Sequence, residues 1–525
     1  MQTRRQFIKT LGIGAGLFYA SGCVNPLRGG TRESHPQPNI LFIMSDDHAC
    51  NAISSYGGML SQLFRTPNID RIAKEGVRLN NCFVTNSICT PSRAAILTGK
   101  YSHRNGVYTL KDDFDRSQPN VARMLQRVGY QTAMVGKWHL HTEPSGFDYY
   151  NVLPGQGRYH NPVLKEKGKG WKDHNAGGER YEGYCTDVIT DIALKWLDGR
   201  DKSKPFFLMC HHKAPHGLWE YAKRHEHMFD GVEIPEPASL WEDKSHRSEA
   251  SSDYGRTILT LGDRMNAQKG GRPWPTGRLD TTGMTDKQQI KAAYQKYMKD
   301  YLRVVAAIDE NVGRVLDYLD EKGLTDSTVV IYTSDQGQFL GEHSYYDKRW
   351  MFEESLRMPF LARYPKEVPG DSVNDDMVLN IDFAETFLDY ADAAIPEDMQ
   401  GRSFRSNLKG RTPAGWRESM YYRYWMHVKQ SNVPAHYGVR TKHYKLIFFY
   451  GLALGMKGAD KDWQSGASWE LYDLKKDPLE LHNVYDDPAY GSVVKELKEE
   501  LFRLKKAFGD TDEKYPELME VRKRL

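Results

Sequence analysis

Four short apolar runs of the sequence each end at charged or polar residues. Apolar runs of this length are typical of strands that are buried on both faces of a largely parallel sheet. Helical patterns lie between them, at 67–75, 121–128, 186–197 and 288–321. This alternation predicts an α/β fold with a large, mostly parallel sheet flanked by helices, whose ligands bind beyond the carboxyl ends of the strands. The apolar runs span residues 39–44, 131–135, 205–210 and 328–332.

The residues that follow two of these runs predict a metal site at one edge of the sheet. Asp46 and Asp47 follow the first run, and Asp335 and Gln336 follow the last. Three carboxylates and an amide oxygen form a hard, oxygen-only ligand set that suits Ca²⁺ or Mg²⁺, and Ca²⁺ tolerates irregular geometry better. One Asp-Asp pair alone would be as typical of a turn or a helix start. Two such pairs after buried strands favour a metal, and no Cys or His spacing indicates zinc.

Basic residues are expected at the same edge. Lys137 and His139 follow the second run, and His216 lies just beyond the third. An isolated histidine is more often a satisfied imidazole in a polar cleft than a catalytic group. The position of these two histidines after buried strands favours a functional role.

The segment 87–99 predicts an anion site at a helix start. Pro91 fits the first turn of a helix that Gly99 would end. Cys89 then lies at the helix N-terminus, where backbone N–H groups favour an anion, and Arg93 lies about one turn further on. On these residues alone Cys89 stays ambiguous, because a lone cysteine is more often a small buried hydrophobe than a nucleophile.

The two ends of the chain predict an export signal and a smaller subdomain. Residues 1–23 combine a twin-arginine pattern with a short apolar stretch that is about half the ~20 residues needed to span a bilayer. The twin-arginine pattern predicts export by the twin-arginine route to the periplasm or cell envelope of a bacterium. The segment ends at Cys23 in a lipoprotein-like box, so Cys23 is either lipidated or a cysteine without a role in a segment that is cleaved off. Residues 24–37 are expected to be a tether, 38–400 the catalytic domain, and 401–525 a C-terminal subdomain. In that subdomain, alternating runs at 421–428, 437–440, 444–449 and 469–473 predict an antiparallel sheet, and residues 493–507 predict an amphipathic helix.

Composition excludes several other classes of protein. The net charge of +3 argues against a polycationic protein that binds nucleic acid. Six cysteines in 525 residues are too few for a disulfide scaffold. Residues 235–285 have no clear periodicity, and we expect them to form a long surface insertion. Such an insertion either sets substrate specificity or is a variable surface loop without that role.

The sequence resembles the type I sulfatases of the alkaline-phosphatase-like superfamily. Cys-Thr-Pro-Ser-Arg at 89–93, followed by Ala-Ala-Ile-Leu-Thr-Gly at 94–99, is similar to the signature of that family. The resemblance extends along most of the chain and implies the alkaline-phosphatase-like fold. Further matching motifs, in the order of the family, begin at Asp46, Gly136, Ala214, Asp335, Asp347 and Leu471.

The resemblance also implies a cofactor, a modification and a role for each site residue. The family pattern implies that Cys89 is oxidised by a maturation enzyme to Cα-formylglycine, whose hydrate is the nucleophile. It assigns Ca²⁺ to an oxygen of the modified Cys89 together with Asp46, Asp47, Asp335 and Gln336. Gln336 departs from the family, in which Asn is commonest, but its amide oxygen is retained on a longer arm.

The remaining roles implied by the resemblance concern the sulfate group and the protons. Arg93 would steady the formylglycine hydrate, and Lys137 and Lys348 would contact sulfate oxygens. One hydroxyl of the hydrate attacks sulfur, His216 or Lys348 protonates the departing alcohol, and His139 removes the second hydroxyl proton to expel sulfate. Residues left ambiguous are His211, His212, Arg158, His160, Trp219, Arg349 and His443.

A sulfated carbohydrate is the expected substrate. Aromatic residues suit sugar faces, and the runs at 81–87, 101–106 and 214–219 are similar to bacterial polysaccharide sulfatases, including exo-acting N-acetylglucosamine-6-sulfatases. The sugar, the ester position, exo or endo action and the oligomeric state stay open, and ulvan, carrageenan and fucoidan remain alternatives. Two other functions stay open as well: a phosphodiesterase or phosphonate monoester hydrolase of the same superfamily, and a lipoprotein that binds sulfated glycans with Cys89 unmodified.

Overall fold

The computed structural model describes residues 37–267 and 273–525. The predicted signal at 1–23 and all of the predicted tether except residue 37 lie outside these residues. The stretch Gln37–Leu525 forms one compact unit, so the predicted boundary at residue 400 stays a prediction. None of the helices in the described part of the chain is both long enough and apolar enough to cross a membrane.

A ten-stranded, mostly parallel sheet forms the centre of the molecule, as the apolar runs predict. Its middle five strands pair with one another in parallel. The antiparallel members lie toward the two edges, and the sequence pattern did not predict them. In spatial order the strands are Ser372–Asn374, Val77–Leu79, Phe360–Arg363, Thr328–Ser334, Asn39–Ser45, Phe206–His211, Gln131–Lys137, Tyr149–Leu153, Val163–Glu166 and Glu179–Arg180.

Helices cover both faces of this sheet because successive side chains of a strand point to opposite sides. In the first strand, Phe42 and Met44 face a core that includes the helices Cys89–Thr98, Val121–Arg127 and Phe383–Tyr390. Leu41 and Ile43 face the other core, which includes Pro67–Lys74, Cys185–Gly199 and the long helix Asp286–Glu321. Both faces are thus apolar, which explains the unbroken apolar runs in the sequence. Shorter helices are Ser102–Asn105, Glu249–Ser252, Ile258–Asn266, Glu353–Leu356, Arg405–Leu408 and Pro516–Lys523.

The C-terminal part contains the predicted antiparallel sheet and helix. Its four strands are Ser419–Tyr424, His436–Thr441, Tyr444–Phe449 and Ser468–Asp473, paired in chain order. The helix Gly491–Phe508 packs on them through the buried side chains of Leu497, Leu501 and Leu504. Two further ladders of two residues each pair Cys82–Phe83 with Val378–Leu379 and Phe339–Leu340 with Tyr346–Asp347.

Candidate active site

The register of the central strands brings the predicted site residues to one edge of the sheet. Ser45 lies opposite Ser334, so the residues that follow each of them, Asp46 and Asp335, are neighbours. On the other side, the strand Phe206–His211 pairs with both Asn39–Ser45 and Gln131–Lys137. Since all four strands run in parallel, their carboxyl ends meet at the same edge, as predicted from the sequence.

Three carboxylates form a buried acidic cluster at this edge. One oxygen each of Asp46, Asp47 and Asp335 lies within 4.8 Å of the others. Gln336 donates a hydrogen bond from Nε2 to Asp47 Oδ1. Asp46 Oδ1 and Gln336 Oε1 are buried and accept no hydrogen bond from any residue that the structure describes. Two unpartnered oxygens beside three carboxylates fit a hard cation, and the longer side chain of Gln336 still reaches the cluster.

The pKa values of two carboxyl groups in the cluster reflect their burial and the charges around them. Burial raises the pKa of Asp335 to about 8, and the charge on Asp46 adds to this while Arg93 opposes it. For Asp46, burial acts in the same direction, but Lys137, His216 and Arg93 hold the pKa well below its usual value. The basic residues around the cluster therefore offset part of its negative charge, and a bound cation would offset more of it.

Cys89 is the first residue of the helix Cys89–Thr98, at the same edge. Gly99 ends this helix with a left-handed backbone at φ 65°, as the sequence predicts. Cys89 is 1% exposed, and its Sγ lies within 4.8 Å of an oxygen of Asp46 and a nitrogen of His216. Burial raises the pKa of the thiol to about 12, although Lys348 and Lys137 act against this. At neutral pH the unmodified side chain is thus a neutral thiol and a weak nucleophile.

Arg93 lies one turn after Cys89 and is fixed from three sides. Its Nε donates to Asp335 Oδ2 at 3.0 Å and one Nη donates to the Lys137 carbonyl at 2.6 Å. The same nitrogen is 3.4 Å from Nδ1 of His211, so this previously ambiguous histidine supports Arg93. His212 is also buried.

Two lysines hold positive charge against the acidic cluster. Lys348 Nζ is 2.5 Å from Asp47 Oδ2. Burial alone would lower the pKa of Lys348, but Asp47, Cys89 and Asp347 together raise it. Lys137 Nζ forms an ion pair with Asp46 and donates to Gln156 Oε1 at 2.5 Å. Gln156 was not predicted from the sequence, because a glutamine in the glycine-rich segment 154–157 carries no recognisable signal.

The two predicted catalytic histidines face the same site. His216 Nε2 is 3.8 Å from Asp47 Oδ2, and its Nδ1 is 2.7 Å from the Gly217 carbonyl oxygen. His139, with a positive φ of 52°, has Nδ1 3.5 Å from Thr90 Oγ1. Burial lowers the pKa of both imidazoles well below the usual value. At neutral pH each ring is therefore uncharged and has one nitrogen that can accept a proton.

A cavity of about 200 Å³, here called the sulfate cavity, opens beside Cys89. Of the residues that the sequence left ambiguous, Trp219 and Arg349 line it, whereas Arg158, His160 and His443 do not. No pattern in the sequence indicated Arg256, Arg264 or Gln430, which lie in irregular or insertion segments. The lining residues are Asp47, Cys89, Leu110, Gln156, His216, Gly217, Leu218, Trp219, Arg256, Arg264, Gln338, Tyr346, Asp347, Lys348, Arg349 and Gln430.

Comparison with known families identifies the class of enzyme. A model of the sulfatase family matches residues 38–393, which contain every predicted site residue. The chain belongs to the sulfatase family. A second model, of the C-terminal part of N-sulphoglucosamine sulphohydrolase, matches residues 341–507. This sulfatase is therefore a sulfuric ester hydrolase, and its family generally uses a formylglycine and a divalent metal.

Several relatives of this sulfatase act on sulfated sugars. An N-acetylglucosamine-6-O-sulfatase of Bacteroides thetaiotaomicron is 41% identical over 529 aligned residues, covering 94% of this chain and 90% of that protein. The human N-acetylglucosamine-6-sulfatase is 28% identical, covering 78% and 70%. A structure described as a complex with the substrate D-glucosamine-2-N,6-O-disulfate is 40% identical, with a TM-score of 0.81 and coverage of 91% of this chain and 99% of that one.

More distant structures share only the fold with this sulfatase. A phosphonate monoester hydrolase of Silicibacter pomeroyi is 19% identical and has a TM-score of 0.68, covering 90% of this chain and 96% of that one. The alkaline-phosphatase-like fold predicted from the sequence is therefore confirmed.

Proposed function

We propose that this sulfatase removes the 6-O-sulfate from glucosamine residues of glycosaminoglycan-type saccharides, with Ca²⁺ and with formylglycine at position 89. The relatives that support this choice are an N-acetylglucosamine-6-O-sulfatase at 41% identity and a structure bound to a 6-O-sulfated glucosamine at 40% identity. The observation that carries the proposal is that Cys89, His216 and Lys348 line one cavity, while Lys137 and Arg93 are bonded to the acidic cluster beside Cys89.

The metal would be held by Asp46, Asp47, Asp335, Gln336 and an oxygen of the modified residue 89. When bound, a divalent cation supplies positive charge to the sulfate oxygens. The choice of Ca²⁺ rests on the oxygen-only ligand set and on the two unpartnered buried oxygens of the cluster.

The basic residues of this chain would neutralise and orient the sulfate. A sulfate ester repels nucleophiles through its own anionic oxygens, so Lys137 and Lys348 must offset that charge as the transition state forms. Arg93 holds its position through Asp335 and keeps residue 89 beside the ester. His139, which is uncharged at neutral pH, suits proton removal from residue 89. The proton for the departing sugar oxygen would come from Lys348, which keeps its charge, or from His216 in its protonated form.

Modification of Cys89 is part of the proposal because the thiol itself is poorly suited to the reaction. With a pKa raised to about 12, it would attack slowly at neutral pH. A plain thiol or hydroxyl would also leave a covalent sulfate that water must then remove, whereas an aldehyde hydrate expels sulfate from its second hydroxyl. A formylglycine-generating maturation enzyme is therefore a proposed partner.

The decisive experiment is a sulfate-release assay on a panel of defined sugars. The panel compares N-acetylglucosamine 6-sulfate with its 3-sulfate isomer, galactosamine 6-sulfate and the 6-phosphate. We expect turnover of 6-sulfated glucosamine only, and turnover of a phosphate or phosphonate ester at a higher rate would favour a phosphonate monoester hydrolase instead.

Mass spectrometry of the peptide that contains residue 89 tests the nucleophile separately. Conversion of the thiol to an aldehyde lowers the mass by about 18 Da. Cys89→Ser is the matched variant, since it keeps the size of the side chain but is expected to turn over slower by orders of magnitude. A thiol at residue 89 in protein from the native host, or normal rates in Cys89→Ser, would refute the catalytic proposal and leave a glycan-binding protein.

We further propose that the protein is exported to the cell envelope by the twin-arginine route and anchored through a lipid on Cys23. The proposal rests on the sequence of residues 1–23, which lie outside the described residues. Replacing Arg4 and Arg5 together by Lys should keep the protein in the cytoplasm, and Cys23→Ser should release it from the membrane fraction. Unchanged fractionation of either variant would contradict the corresponding part.

A further inference from the structure

A second hollow of about 520 Å³, here called the outer basin, adjoins the sulfate cavity. The two share Arg256, Arg264, Tyr346 and Gln430 in their walls, so they lie directly beside each other. A group that lies beyond the sulfate on the substrate can therefore extend into the outer basin. Its lining residues are Gly255, Arg256, Thr260, Arg264, Tyr346, Val428, Gln430, Ser431 and Asn432.

The outer basin carries two positive charges and, among its described lining residues, no acidic one. Arg256 is 3.3 Å from Asp347 Oδ2, but that carboxylate also pairs with Arg349 and lies 3.5 Å from Lys348. Arg264 is exposed and has no ion pair or hydrogen bond with any described residue, and its guanidinium carbon lies 6.0 Å from the ring centre of Trp274. No described residue therefore neutralises the charge of Arg264, whereas Arg256 pairs with Asp347 and donates hydrogen bonds to the Gln430 carbonyl.

The walls of the outer basin are held in place by the fold. Gly255 N donates to the Asn432 carbonyl at 2.6 Å, and Tyr346 N donates to the Arg256 carbonyl at 3.0 Å. The helix Ile258–Asn266, which carries Arg264, is capped by Thr257 and packs on the helix Asp286–Glu321. Arg264 therefore projects from a fixed helix into a preformed space, which reduces the entropy cost of binding.

We propose that the outer basin is a second anion subsite, in which Arg264 and Arg256 bind a sulfate or carboxylate of the substrate other than the ester that is hydrolysed. The inference rests on the proposed function and deepens it, because it makes the substrate a saccharide with at least two negative groups. Arginine suits this role because its guanidinium can bind two oxygens of one such group. The second anion can lie on the same sugar, as an N-sulfate, or on the neighbouring sugar, as a uronate.

Three substrates separate these sources. The first is methyl N-acetylglucosamine 6-sulfate, with one charge; the second is glucosamine 2-N,6-O-disulfate; and the third is 6-sulfated N-acetylglucosamine linked to a uronic acid. We expect kcat/KM for one of the two dianionic substrates to exceed that for the first by about five- to tenfold at low salt, and the preference to fall as salt screens the contact. The substrate that shows the preference identifies the position of the second anion.

Variants at residue 264 test whether the basin causes this preference. Arg264→Gln should reduce the ratio of kcat/KM values to about one, whereas Arg264→Lys should retain part of it, since a single point charge remains. Arg127→Gln is the matched control, because Arg127 is also exposed but lines neither hollow. The same ratio in Arg264→Gln as in the unaltered enzyme, or no preference in the unaltered enzyme, would overturn the inference.

A binding measurement separates this inference from the proposed function. In the Cys89→Ser background, calorimetry gives Kd for each saccharide without turnover. If no 6-sulfated glucosamine is hydrolysed, the proposed function fails, while tighter binding of a dianionic saccharide that depends on Arg264 would still support the anion subsite. Equal Kd values for all three saccharides would overturn the subsite whatever the activity.

Discussion

Removal of the metal should lower the thermal stability of this sulfatase by a measurable amount. The acidic cluster places three buried carboxylates within 4.8 Å of one another, so a cation that binds there binds the folded chain far better than the unfolded one. For a dissociation constant of about 1 µM, typical of protein Ca²⁺ sites, about 1 mM free Ca²⁺ adds about 4 kcal/mol of stability. A compact unit of the length of Gln37–Leu525 has an unfolding entropy of about 1 kcal/mol/K, so Tm should fall by about 4 °C on chelation.

Differential scanning calorimetry of chelated protein, with Ca²⁺ or Mg²⁺ added back, measures this shift. Asp335→Asn should abolish the dependence of Tm on Ca²⁺, because it removes a carboxylate ligand from the proposed site while leaving an oxygen that can accept from Arg93. Asp309→Asn is the matched control: Asp309 is also a buried aspartate, but it accepts from the backbone of Asn68 and Ile69, away from the cluster. A Tm that does not respond to Ca²⁺, or responds equally in Asp335→Asn, would refute the metal site.

Three further substitutions test other parts of the structure. In urea unfolding, Glu242→Gln should lower the free energy of unfolding by about 3 kcal/mol at neutral pH and by less near pH 3. Burial opposes the ionisation of Glu242, but His343 and Arg247 lower its pKa to about 2. The stability that its charge contributes is therefore present above about pH 4.5 and is lost as pH falls toward 2. An equal loss at both pH values would contradict this. Gln156→Leu should lower kcat/KM about tenfold by releasing Lys137, and an unchanged value would show that Gln156 is passive. Lys348→Met should lower kcat by a factor about 100 times larger than the factor by which it changes KM, because the charge of Lys348 acts on the transition state. A change in KM alone would show that Lys348 contributes only to substrate binding.

The sequence predicts the central strands and the acidic cluster because burial on both faces of a parallel sheet leaves an unmistakable pattern. Strands observed at Asn39–Ser45 and Thr328–Ser334 match the predicted runs to within two residues at their ends. The abrupt change to Asp46 and Asp335 is informative because it follows two buried strands of a parallel sheet, whose carboxyl ends meet at one edge. The C-terminal strands were predicted for a related reason, since alternating side chains and turn residues report antiparallel pairing.

The sequence does not predict the position of residues that depend on contacts with distant parts of the chain. Residues 235–285 lack periodicity and were expected to lie on the surface, yet Ile258, Leu261 and Met265 are fully buried against the rest of the fold. Their helix is short, and which of its residues are buried is set by packing against the long helix Asp286–Glu321. The local sequence does not predict that contact. Arg264 on that helix could not be recognised for the same reason.

The ligands of the acidic cluster come from two strands that are neighbours in the sheet, with Ser45 opposite Ser334. A slip of one residue between these strands would shift Asp335 by about 3.3 Å and turn its side chain to the opposite face. Correct alignment of the central strands is thus a condition for the proposed cation site. If that site binds a metal, a metal titration of any variant also measures the fraction of chains whose sheet has assembled in register.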